Sequence, residues 1–566
     1  MHYDELRKAR EELTGPGGDF EIVEADVLGN RLRVYKNAPV SVREVWLSTA
    51  QFADRTYLIY QDERLTYAES HRIVNAVAAW LADQGVKPGD RVAIAMRNYP
   101  EWLLIYWACV STGIAVVGMN AWWTAGEMAY ALKDSGPKVI FLDAERLARV
   151  VEQPEIAAGM KLVGVRIPDA PANVIPWSDV VAHGGDMPDV AVDPDSDACI
   201  FYTSGTTGFP KGAQLTHRGC VGNLMNMMYA ATSSALATQR ATGTEPPADP
   251  PIPVTLLTTP LFHVIATQLR RLCGHGRRRH AGPRCIPLDA GEALRLIAKE
   301  RITGMSGVPV MARELINHPD FRKTDTSSLT TLAGGGAQVP PDLVHSIETQ
   351  VETARPGTGY GMTETCGIIT SVSADFFVDK PDSAGPAMPN FEARCVDDAG
   401  DTVPQGELGE LWVKGSSVIK GYINRPDATA ESITDGWLHT GDIARIDEDG
   451  FIFIVDRKKD MVLRGGENVY CAEVESTLYK HPAVAECCVF GLPDDRLGEE
   501  VGAAVVLKPG QTLTDEALRA HCAGIMAKHK VPRYIWFLDE ALPRNASGKF
   551  LKRDLRDRLS AQVTST

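Results

Sequence analysis

The chain has 566 residues, of which 44% are hydrophobic and 23% charged, and its formal net charge at pH 7 is −15. Because a single hydrophobic core stops growing at about 250–300 residues, we expect two or more folded units. The acidic balance argues against general binding of nucleic acid. The 11 cysteines form no CxxC pair and the charged N-terminus lacks the apolar core of a secretory signal. We therefore expect free, mostly buried thiols and a cytoplasmic protein.

Helical and strand patterns alternate in the first part of the chain. Residues 68–85 (AESHRIVNAVAAWLADQG) predict a helix, 88–96 a turn and a strand, 127–136 a second helix, and 137–143 another strand. Helices that alternate with short β-branched runs are typical of parallel sheets covered on both faces.

One uncharged run in this region, Trp102–Trp123, has the length of a membrane span, which needs about 20 apolar residues. Ser111, Thr112 and Gly113 interrupt it in the middle, and the two halves differ in pattern. We interpret the first half as a buried helix and the second as a buried strand. No transmembrane segment is predicted.

The alternation resumes after residue 197, and the Pro-rich segment 241–253 interrupts it as a predicted exposed loop. Near residue 400 the pattern changes to short strands and turns, and from residue 451 onward it predicts a separate α+β unit. We therefore predict an α/β fold with a large N-terminal domain over residues 1–456. That domain has parallel and mixed sheets covered by helices plus a small antiparallel β unit, and a small mobile α+β C-terminal domain follows over residues 457–566.

The segment Tyr202–Gly212 (YTSGTTGFPKG) is the strongest local signal in the chain. It follows an apolar strand pattern and precedes a predicted helix. Glycines, hydroxyl side chains and backbone N–H groups in such a loop converge on an anion, and Lys211 adds a positive charge. Because Lys211 follows Pro210 rather than glycine, the loop is not the P-loop of nucleotide triphosphatases. A flexible linker is the alternative, although two bulky residues and a lysine fit that poorly.

This segment resembles the phosphate loop of the acyl-adenylate-forming enzymes, which include acyl-CoA synthetases, adenylation domains of peptide synthetases and firefly luciferase. Further motifs follow in that family's order over nearly the whole chain. The resemblance makes the N-terminal domain an AMP-binding domain and gives Thr207 a catalytic role. It implies that the following loop residues contact the nucleotide: Thr203, Ser204, Gly205, Thr206, Thr207, Gly208 and Lys211.

Two glycine-rich motifs resemble the family's adenine and acyl loops. In GTGYGMTET (357–365), the resemblance places Tyr360 against adenine, Thr363 at phosphate and Glu364 on Mg²⁺ as a catalytic metal ligand. An aromatic face suits a purine, and a carboxylate oxygen suits Mg²⁺. In LAGGGAQVP (332–340), Gly334 would contact the acyl group. The other nucleotide contacts implied by these motifs are Gly335, Gly336, Ala337, Gly359, Gly361 and Met362.

Three later motifs complete the resemblance. HTGD (439–442) implies that Asp442 accepts hydrogen bonds from the ribose hydroxyls, and DRKKD (456–460) implies a ribose contact by Arg457 and a hinge at Lys459. LPRNASGKF (542–550) implies that Lys549, carried by the C-terminal domain, bridges the substrate carboxylate and the α-phosphate. Each motif alone is also compatible with an ordinary turn, a charged surface segment or a tail.

The chemistry implied by the resemblance has two steps and uses ATP, Mg²⁺ and coenzyme A. The acid forms an acyl adenylate, and a thiol then takes the acyl group while the small domain turns to present GGEN, with Gly465 and Gly466 near CoA. The enzyme class implied is a carbon–sulfur ligase. No GxSxG or HExxH motif competes with this interpretation. The sequence leaves open whether the chain forms a homodimer and whether it contacts a membrane peripherally.

The sequence defines the carboxylic acid substrate less clearly than it defines the nucleotide site. PLFHV (260–264) resembles the segment before the acyl tunnel and places His263 near its entry, with a core histidine as the alternative. No acidic residue near positions 200 or 260 is available for an amino-acid ammonium group. We expect a medium- or long-chain fatty acid, with an aromatic acid as the second class. A ligase that loads a carrier protein from acyl-AMP and a non-catalytic homologue are further alternatives.

A run of arginines departs from the family pattern. Leu269–Cys285 reads LRRLCGHGRRRHAGPRC, where the family has small and apolar residues, and unpaired buried charges are costly. Four explanations are open: a zinc site of Cys273, His275, His280 and Cys285, a nucleic-acid patch, an exposed basic insertion, and a local frameshift. We favour the frameshift, because permitted codons read one base over encode a small-residue helix followed by a strand.

Overall fold

The computed structural model describes residues 2–153, 155, 159–203, 210–243, 252–264, 278–281, 289–544 and 550–563. The chain divides into two compact units. The larger unit comprises Met1–Glu392 and Val413–Leu438, and the smaller unit comprises Ala393–Trp412 and His439–Thr566. The larger unit is a mixed α/β structure and the smaller unit is α+β, so the predicted fold class is confirmed. The predicted domain boundary at residue 456 stays a prediction.

The strands of the described chain are numbered here in chain order. They are β1 (Ile22–Val27), β2 (Asn30–Tyr35), β3 (Thr56–Tyr60), β4 (Glu63–Thr66), β5 (Arg91–Ala95), β6 (Ala115–Gly118), β7 (Val139–Leu142), β8 (Lys161–Gly164), β9 (Val174–Pro176), β10 (Asp197–Thr203), β11 (Lys211–Thr216), β12 (Val254–Leu257), β13 (Arg278–Ala281), β14 (Gly304–Gly307), β15 (Thr331–Gly335), β16 (Arg355–Met362), β17 (Gly367–Ser373), β18 (Gly385–Pro386), β19 (Phe391–Val396), β20 (Gly409–Gly415), β21 (Gly421–Tyr422), β22 (Ile433–Thr434), β23 (Trp437–Ile446), β24 (Phe451–Arg457), β25 (Val462–Arg464), β26 (Glu467–Val469), β27 (Val484–Asp494), β28 (Gly498–Leu507) and β29 (Tyr534–Phe537).

The α-helices are numbered in the same way. They are α1 (His2–Thr14), α2 (Val42–Ser48), α3 (Tyr67–Asp83), α4 (Pro100–Ser111), α5 (Ala125–Ser135), α6 (Ala144–Val151), α7 (Trp177–Ala182), α8 (His217–Thr242), α9 (Ala290–Glu300), α10 (Pro309–Ile316), α11 (Pro341–Gln350), α12 (Asp375–Asp379), α13 (Pro426–Ser432), α14 (Cys471–Tyr479), α15 (Asp515–Ala523) and α16 (Lys552–Val563).

Two large sheets form the framework of the larger unit. Their strand orders are β21-β11-β10-β6-β5-β7-β8-β9 and β17-β16-β15-β14-β12-β13-β3-β4. Most strands of both sheets pair in parallel, and the antiparallel pairs lie toward three of the four edges. A further sheet has the order β18-β24-β23-β20-β19, in which β23 pairs antiparallel with β24 and with β22, and the smaller unit contains β26-β25-β28-β27 with β29 beside β28. The parallel sheets and the antiparallel unit near residue 400 are therefore confirmed.

The long uncharged run folds as the sequence predicts. Its first half is α4, which begins at Pro100 and is buried on every side, and its second half contains the buried strand β6. Gly113 makes the turn between them with a φ of +68°, which glycine adopts without strain. Within the described ranges, no helix combines the length and apolar character that a membrane crossing requires. The nine cysteines described are free and buried, as expected.

Two local predictions need correction. The phosphate loop is followed by strand β11 and not by a helix, because Thr203 pairs with Lys211 and the chain turns back antiparallel on β10. Helix α8 begins only at His217 and continues through Ala241 and Thr242, so the predicted exposed loop begins later than the sequence suggests. Of that loop, residues 244–251 lie outside the described residues.

The arginine run is described only in part. Residues 278–281 form β13, whose backbone pairs in parallel with β12 on one side and β3 on the other. Residues 269–277 and 282–285 lie outside the described residues, as do Cys273, His275 and Cys285 of the suggested zinc site. Four residues of the run therefore belong to the interior of a sheet.

A buried histidine near the start of α8 gives the larger unit a predictable response to acid. His217 is buried, its Nδ1 accepts a hydrogen bond from the backbone N–H of Val42 at 3.4 Å, and burial lowers its pKa to about 4. Since the unfolded group has a pKa near 6.5, the unfolded chain binds the proton first, and stability is lost as the pH falls between those values.

We expect the free energy of unfolding to fall by about 2 kcal/mol more in the wild type than in His217→Gln between pH 7 and pH 5. Urea unfolding of both proteins at the two pH values measures this difference. Other histidines with a lowered pKa, such as the half-buried His71, are present in both proteins, so their contribution cancels. Equal pH dependence in the two proteins would contradict the assignment.

Candidate active site

The predicted phosphate loop closes the hairpin between β10 and β11. Thr203 and Lys211 are register partners, and the Thr203 hydroxyl donates to the Lys211 carbonyl oxygen at 3.4 Å. This pairing brings both ends of the loop together at the carboxyl end of β10. The other predicted loop residues lie outside the described residues: Ser204, Gly205, Thr206, Thr207 and Gly208.

Glu364 and Lys211 meet at one aromatic side chain. Glu364 lies in a short 3₁₀ turn after β16, it is 8% exposed, and its Oε1 accepts the hydroxyl hydrogen of Tyr422 at 2.8 Å. The ammonium of Lys211 lies 5.1 Å from the centroid of the Tyr422 ring. Tyr422 was not predicted, because a single tyrosine near a strand is more often a core residue. Its place in β21, next to the strand that Lys211 begins, is known only from the structure.

The two glycine-rich motifs are neighbours in the second sheet. Gly335 on β15 is the register partner of Gly359 on β16, so their predicted nucleotide contacts share one edge. A β-carbon on Gly361 would lie 1.9 Å from the carbonyl oxygen of Gly367, which excludes any larger residue there. Tyr360 is half-buried, and its backbone N–H donates to the Thr370 hydroxyl at 3.3 Å. Met362 ends β16, and Thr363 begins the turn that carries Glu364.

The end of β15 is shaped by small residues. A β-carbon on Gly334 would lie 2.3 Å from Cγ2 of Val339, so the valine fills the space above the strand. Gly336 has a φ of +79°, a conformation that favours glycine, and Ala337 follows it in an exposed position. In open α/β sheets, ligands bind at the carboxyl ends of the parallel strands, and this is where these residues lie.

His263 lies in the segment that leaves β12 at the same edge. Its backbone N–H donates to the carbonyl oxygen of Pro260 at 3.1 Å, and its side chain is half-buried. Asn98, which follows β5 of the first sheet, donates to the Thr259 carbonyl oxygen at 2.9 Å and accepts from the Leu261 N–H at 2.8 Å. The carboxyl edges of the two large sheets are thus tied together next to His263.

In the smaller unit, the predicted ribose residues form one cross-strand pair. Asp442 on β23 and Arg457 on β24 are register partners, with 3.4 Å between Oδ1 of the aspartate and Nε of the arginine. The Asp442 side chain is 8% exposed and that of Arg457 58% exposed. Asp456 also lies here: its Oδ1 accepts the Arg457 N–H at 2.8 Å, and burial raises its pKa to about 6.

The predicted hinge and CoA residues occupy turns of the smaller unit. Lys459 is exposed in the turn between β24 and β25. Gly465 and Gly466 form the two-residue loop of the β25–β26 hairpin, with φ values of +62° and +90°, the conformation that such a loop requires. Lys549 lies outside the described residues, and the segment that contains it is flanked by a bridge between Arg544 and Phe550.

The residues around Glu364 suit a magnesium ion whose other ligands are mainly the phosphates of a bound nucleotide. Within the described residues, no group of three or more His, Cys, Asp or Glu side chains is arranged to hold a metal ion by itself. Mg²⁺ is usually bound through one or two carboxylates together with substrate phosphates and water. The Glu364 carboxylate, next to the hydroxyl-bearing Thr363, offers one such oxygen ligand in a largely dry environment.

Comparison with known proteins agrees with this geometry. Residues 45–423 match the AMP-binding enzyme family, and residues 473–549 match the AMP-binding enzyme C-terminal domain. The chain is 37% identical to a feruloyl-CoA synthase of Amycolatopsis over 87% of this chain and 94% of the relative. It is 35% identical to a long-chain-fatty-acid–CoA ligase of Salmonella typhimurium over 91% and 94%.

Among solved structures, the o-succinylbenzoate CoA synthetase of Bacillus subtilis, in complex with its acyl-adenylate intermediate, matches with a TM-score of 0.74 and 30% identity. That match covers 91% of this chain and 98% of the other. The chain therefore belongs to the AMP-binding enzyme family and, within it, to the acyl-CoA synthetases, ligases that form carbon–sulfur bonds.

Proposed function

We propose that this chain joins a hydrophobic carboxylic acid, with medium- or long-chain fatty acids as the first class, to the thiol of coenzyme A. The observation that carries the proposal is the set of side chains around the carboxyl ends of β14 and β15 in the second sheet. The side chains nearest to hypothetical β-carbons on Gly307 and Gly334, at the ends of β14 and β15, are uncharged: Thr258, Pro309, Met311 and Val339. An apolar acid can lose its water there without leaving a buried charge unpaired.

The proposed reaction has two balanced steps. A carboxylate oxygen attacks the α-phosphorus of ATP, the bond to the β-phosphate oxygen breaks, and pyrophosphate leaves. The CoA sulfur then attacks the acyl carbon, the bond to AMP breaks, and the thiol proton is released. No protein nucleophile is needed, so the side chains act by positioning the reactants and by stabilising charge.

The proposed roles follow the predicted residues. Lys549 offsets the repulsion between the carboxylate and the α-phosphate, and Lys211 with the loop after Thr203 holds the outer phosphates. Asp442 and Arg457 bind the ribose, with Lys459 as the hinge. Tyr360, with Gly359, Gly361, Met362, Gly335, Gly336 and Ala337, forms the adenine side. Gly334 and His263 flank the acyl group, and Gly465 with Gly466 lies toward CoA. Magnesium, held by Glu364, would neutralise charge on the pyrophosphate as it leaves.

An aromatic acid is the second candidate. It is favoured by the 37% identity to feruloyl-CoA synthases over 94% of their length, which is slightly higher than the identity to the fatty-acid ligases. The two classes differ in shape, since a flexible alkyl chain needs a long tunnel and a phenylpropenoic acid needs a short, flat one. Both require the same uncharged lining at the carboxyl edge.

An acid screen tests the proposal. AMP release is measured with ATP, magnesium and CoA against straight-chain acids from medium to long, against hydroxycinnamic acids, and against a dicarboxylic acid and an amino acid as polar controls. We expect release that depends on both the acid and CoA, with apolar acids at least tenfold better than the polar controls in kcat/KM, a difference of about 1.4 kcal/mol. Acid-dependent pyrophosphate exchange without CoA turnover would point instead to loading of a carrier protein. Absence of both activities would contradict the proposal.

A further inference from the structure

Tyr422 is a buried residue held rigidly at the edge of the first sheet. It is 8% exposed, and it pairs with Ala213 of β11, the strand that Lys211 begins. Its backbone N–H donates to the Thr429 hydroxyl at 2.9 Å, and that hydroxyl in turn donates to the Arg425 carbonyl oxygen at 2.9 Å. Backbone and side chain are both fixed, so the ring has little freedom to follow its neighbours.

The phenol contacts two opposite charges through different parts of the ring. The Lys211 ammonium lies over the face, 5.1 Å from the centroid, where the ring electrons attract a cation. The Glu364 carboxylate lies at the hydroxyl, 2.8 Å from it. The hydroxyl donates its hydrogen to the carboxylate oxygen, so one ring contacts both charges.

The Tyr422 ring lies between two side chains of opposite charge, Lys211 and Glu364. A lysine needed for phosphate and a glutamate needed for the metal attract each other, and a direct ion pair would neutralise both before the nucleotide binds. A rigid ring that engages the cation by its face and the anion by its hydroxyl gives each charge a separate partner. The hydrogen bond also fixes the orientation of the carboxylate, as partners of metal-binding carboxylates commonly do.

We propose that Tyr422 is a positioning residue, which orients Glu364 toward the magnesium ion of the nucleotide and keeps the Lys211 ammonium from pairing with that carboxylate. The inference rests on the proposed function, because it takes Glu364 as the magnesium ligand and Lys211 as a phosphate contact. It assigns a role to a residue outside the glycine-rich motifs, and in that role Tyr422 acts through Glu364 and Lys211.

The test is the binding of a non-hydrolysable ATP analogue to the full-length protein, measured by calorimetry with and without magnesium. Tyr422→Phe keeps the ring and removes the hydroxyl. We expect the magnesium concentration for half-maximal enhancement of binding to rise by about 10–100-fold, while binding without magnesium changes less than twofold. Tyr35→Phe is the matched control, because it removes another buried hydroxyl bond of the larger unit, from Tyr35 to Asn226 at 2.7 Å.

A second variant tests the separation of charges. In Tyr422→Leu the ring face is also lost, so Lys211 can pair with Glu364 and binding without magnesium should weaken as well. Adding Glu364→Gln to Tyr422→Leu should restore that binding. Magnesium dependence in Tyr422→Phe equal to that of the wild type and of Tyr35→Phe would overturn the inference while leaving the proposed function intact. Failure of the wild type itself to bind the analogue would overturn both.

Discussion

Lys549→Ala is expected to lower the rate of adenylate formation by at least about 10²–10³-fold, while thioester formation from a preformed acyl adenylate changes less than tenfold. The reason is that the first step alone brings two anions together, the substrate carboxylate and the α-phosphate, and a lysine between them removes much of the repulsion. In the second step a thiol attacks a neutral carbonyl carbon, and that repulsion is absent.

The two half-reactions are measured separately. Adenylation is followed by exchange of labelled pyrophosphate into ATP, and thioester formation by single-turnover reaction of a synthetic acyl adenylate with CoA. Lys528→Ala is the control, because Lys528 is an exposed lysine of the same unit, in the short 3₁₀ turn Lys528–Lys530. Equal losses in both half-reactions would refute the idea that the small domain uses Lys549 in one step and is repositioned for the other.

The parts of the fold that the sequence predicted well are those with a strong local pattern. The helix at 68–85, the buried helix and strand within Trp102–Trp123, and the strand before Tyr202 each carry a periodicity or a continuous apolar run. Strand β11 was missed because its polar sequence, KGAQLT, becomes a strand only through pairing with β10. The residues of β11 alone therefore carried little signal for a strand, even though β10 is its neighbour in sequence.

The glycine-rich motifs of the candidate site could be predicted from the sequence, whereas their arrangement in space could not. The glycine-rich motifs could be recognised because the backbone at such positions requires glycine. At Gly361, for example, no β-carbon fits. Their adjacency, with Gly335 beside Gly359, follows from strand order and not from either motif. Tyr422 is joined to Lys211 and Glu364 only by folding, over 211 and 58 residues of sequence respectively, so no local pattern could have revealed it.

The arginine run shows a conflict between local sequence and fold. A parallel strand inside a sheet is usually a continuous hydrophobic run, because helices cover both faces. Strand β13 lies between β12 and β3, yet its sequence is RRHA. An exposed insertion does not account for backbone pairing on both sides of these four residues, whereas a local frameshift predicts a strand near this point. Resequencing the gene across residues 269–285 distinguishes them, since an uninterrupted frame encoding the arginines would exclude the frameshift.

Glu364→Gln is expected to lower the adenylation rate by about 10²-fold or more at saturating ATP and to remove most of its dependence on magnesium concentration. The substitution keeps the size of the side chain, and the Tyr422 hydroxyl can still donate to the amide oxygen, so the fold should be retained. What is lost is the negative charge that a magnesium ion requires of its protein ligand. Adenylation is measured over a range of magnesium and manganese concentrations, with the thermal midpoint as the check on folding.

Glu431→Gln is the matched control, since Glu431 is an exposed carboxylate of α13 in the same part of the chain as Tyr422. A double-mutant cycle adds a sharper requirement, because residues that act through one another are not additive. If Tyr422 acts by orienting Glu364, Tyr422→Phe should weaken magnesium dependence in the wild type and change little in the Glu364→Gln background. Additive effects of the two substitutions would mean that the tyrosine acts on adenylation by a route that does not pass through the carboxylate. Full activity of Glu364→Gln at low magnesium would remove Glu364 from the metal site altogether.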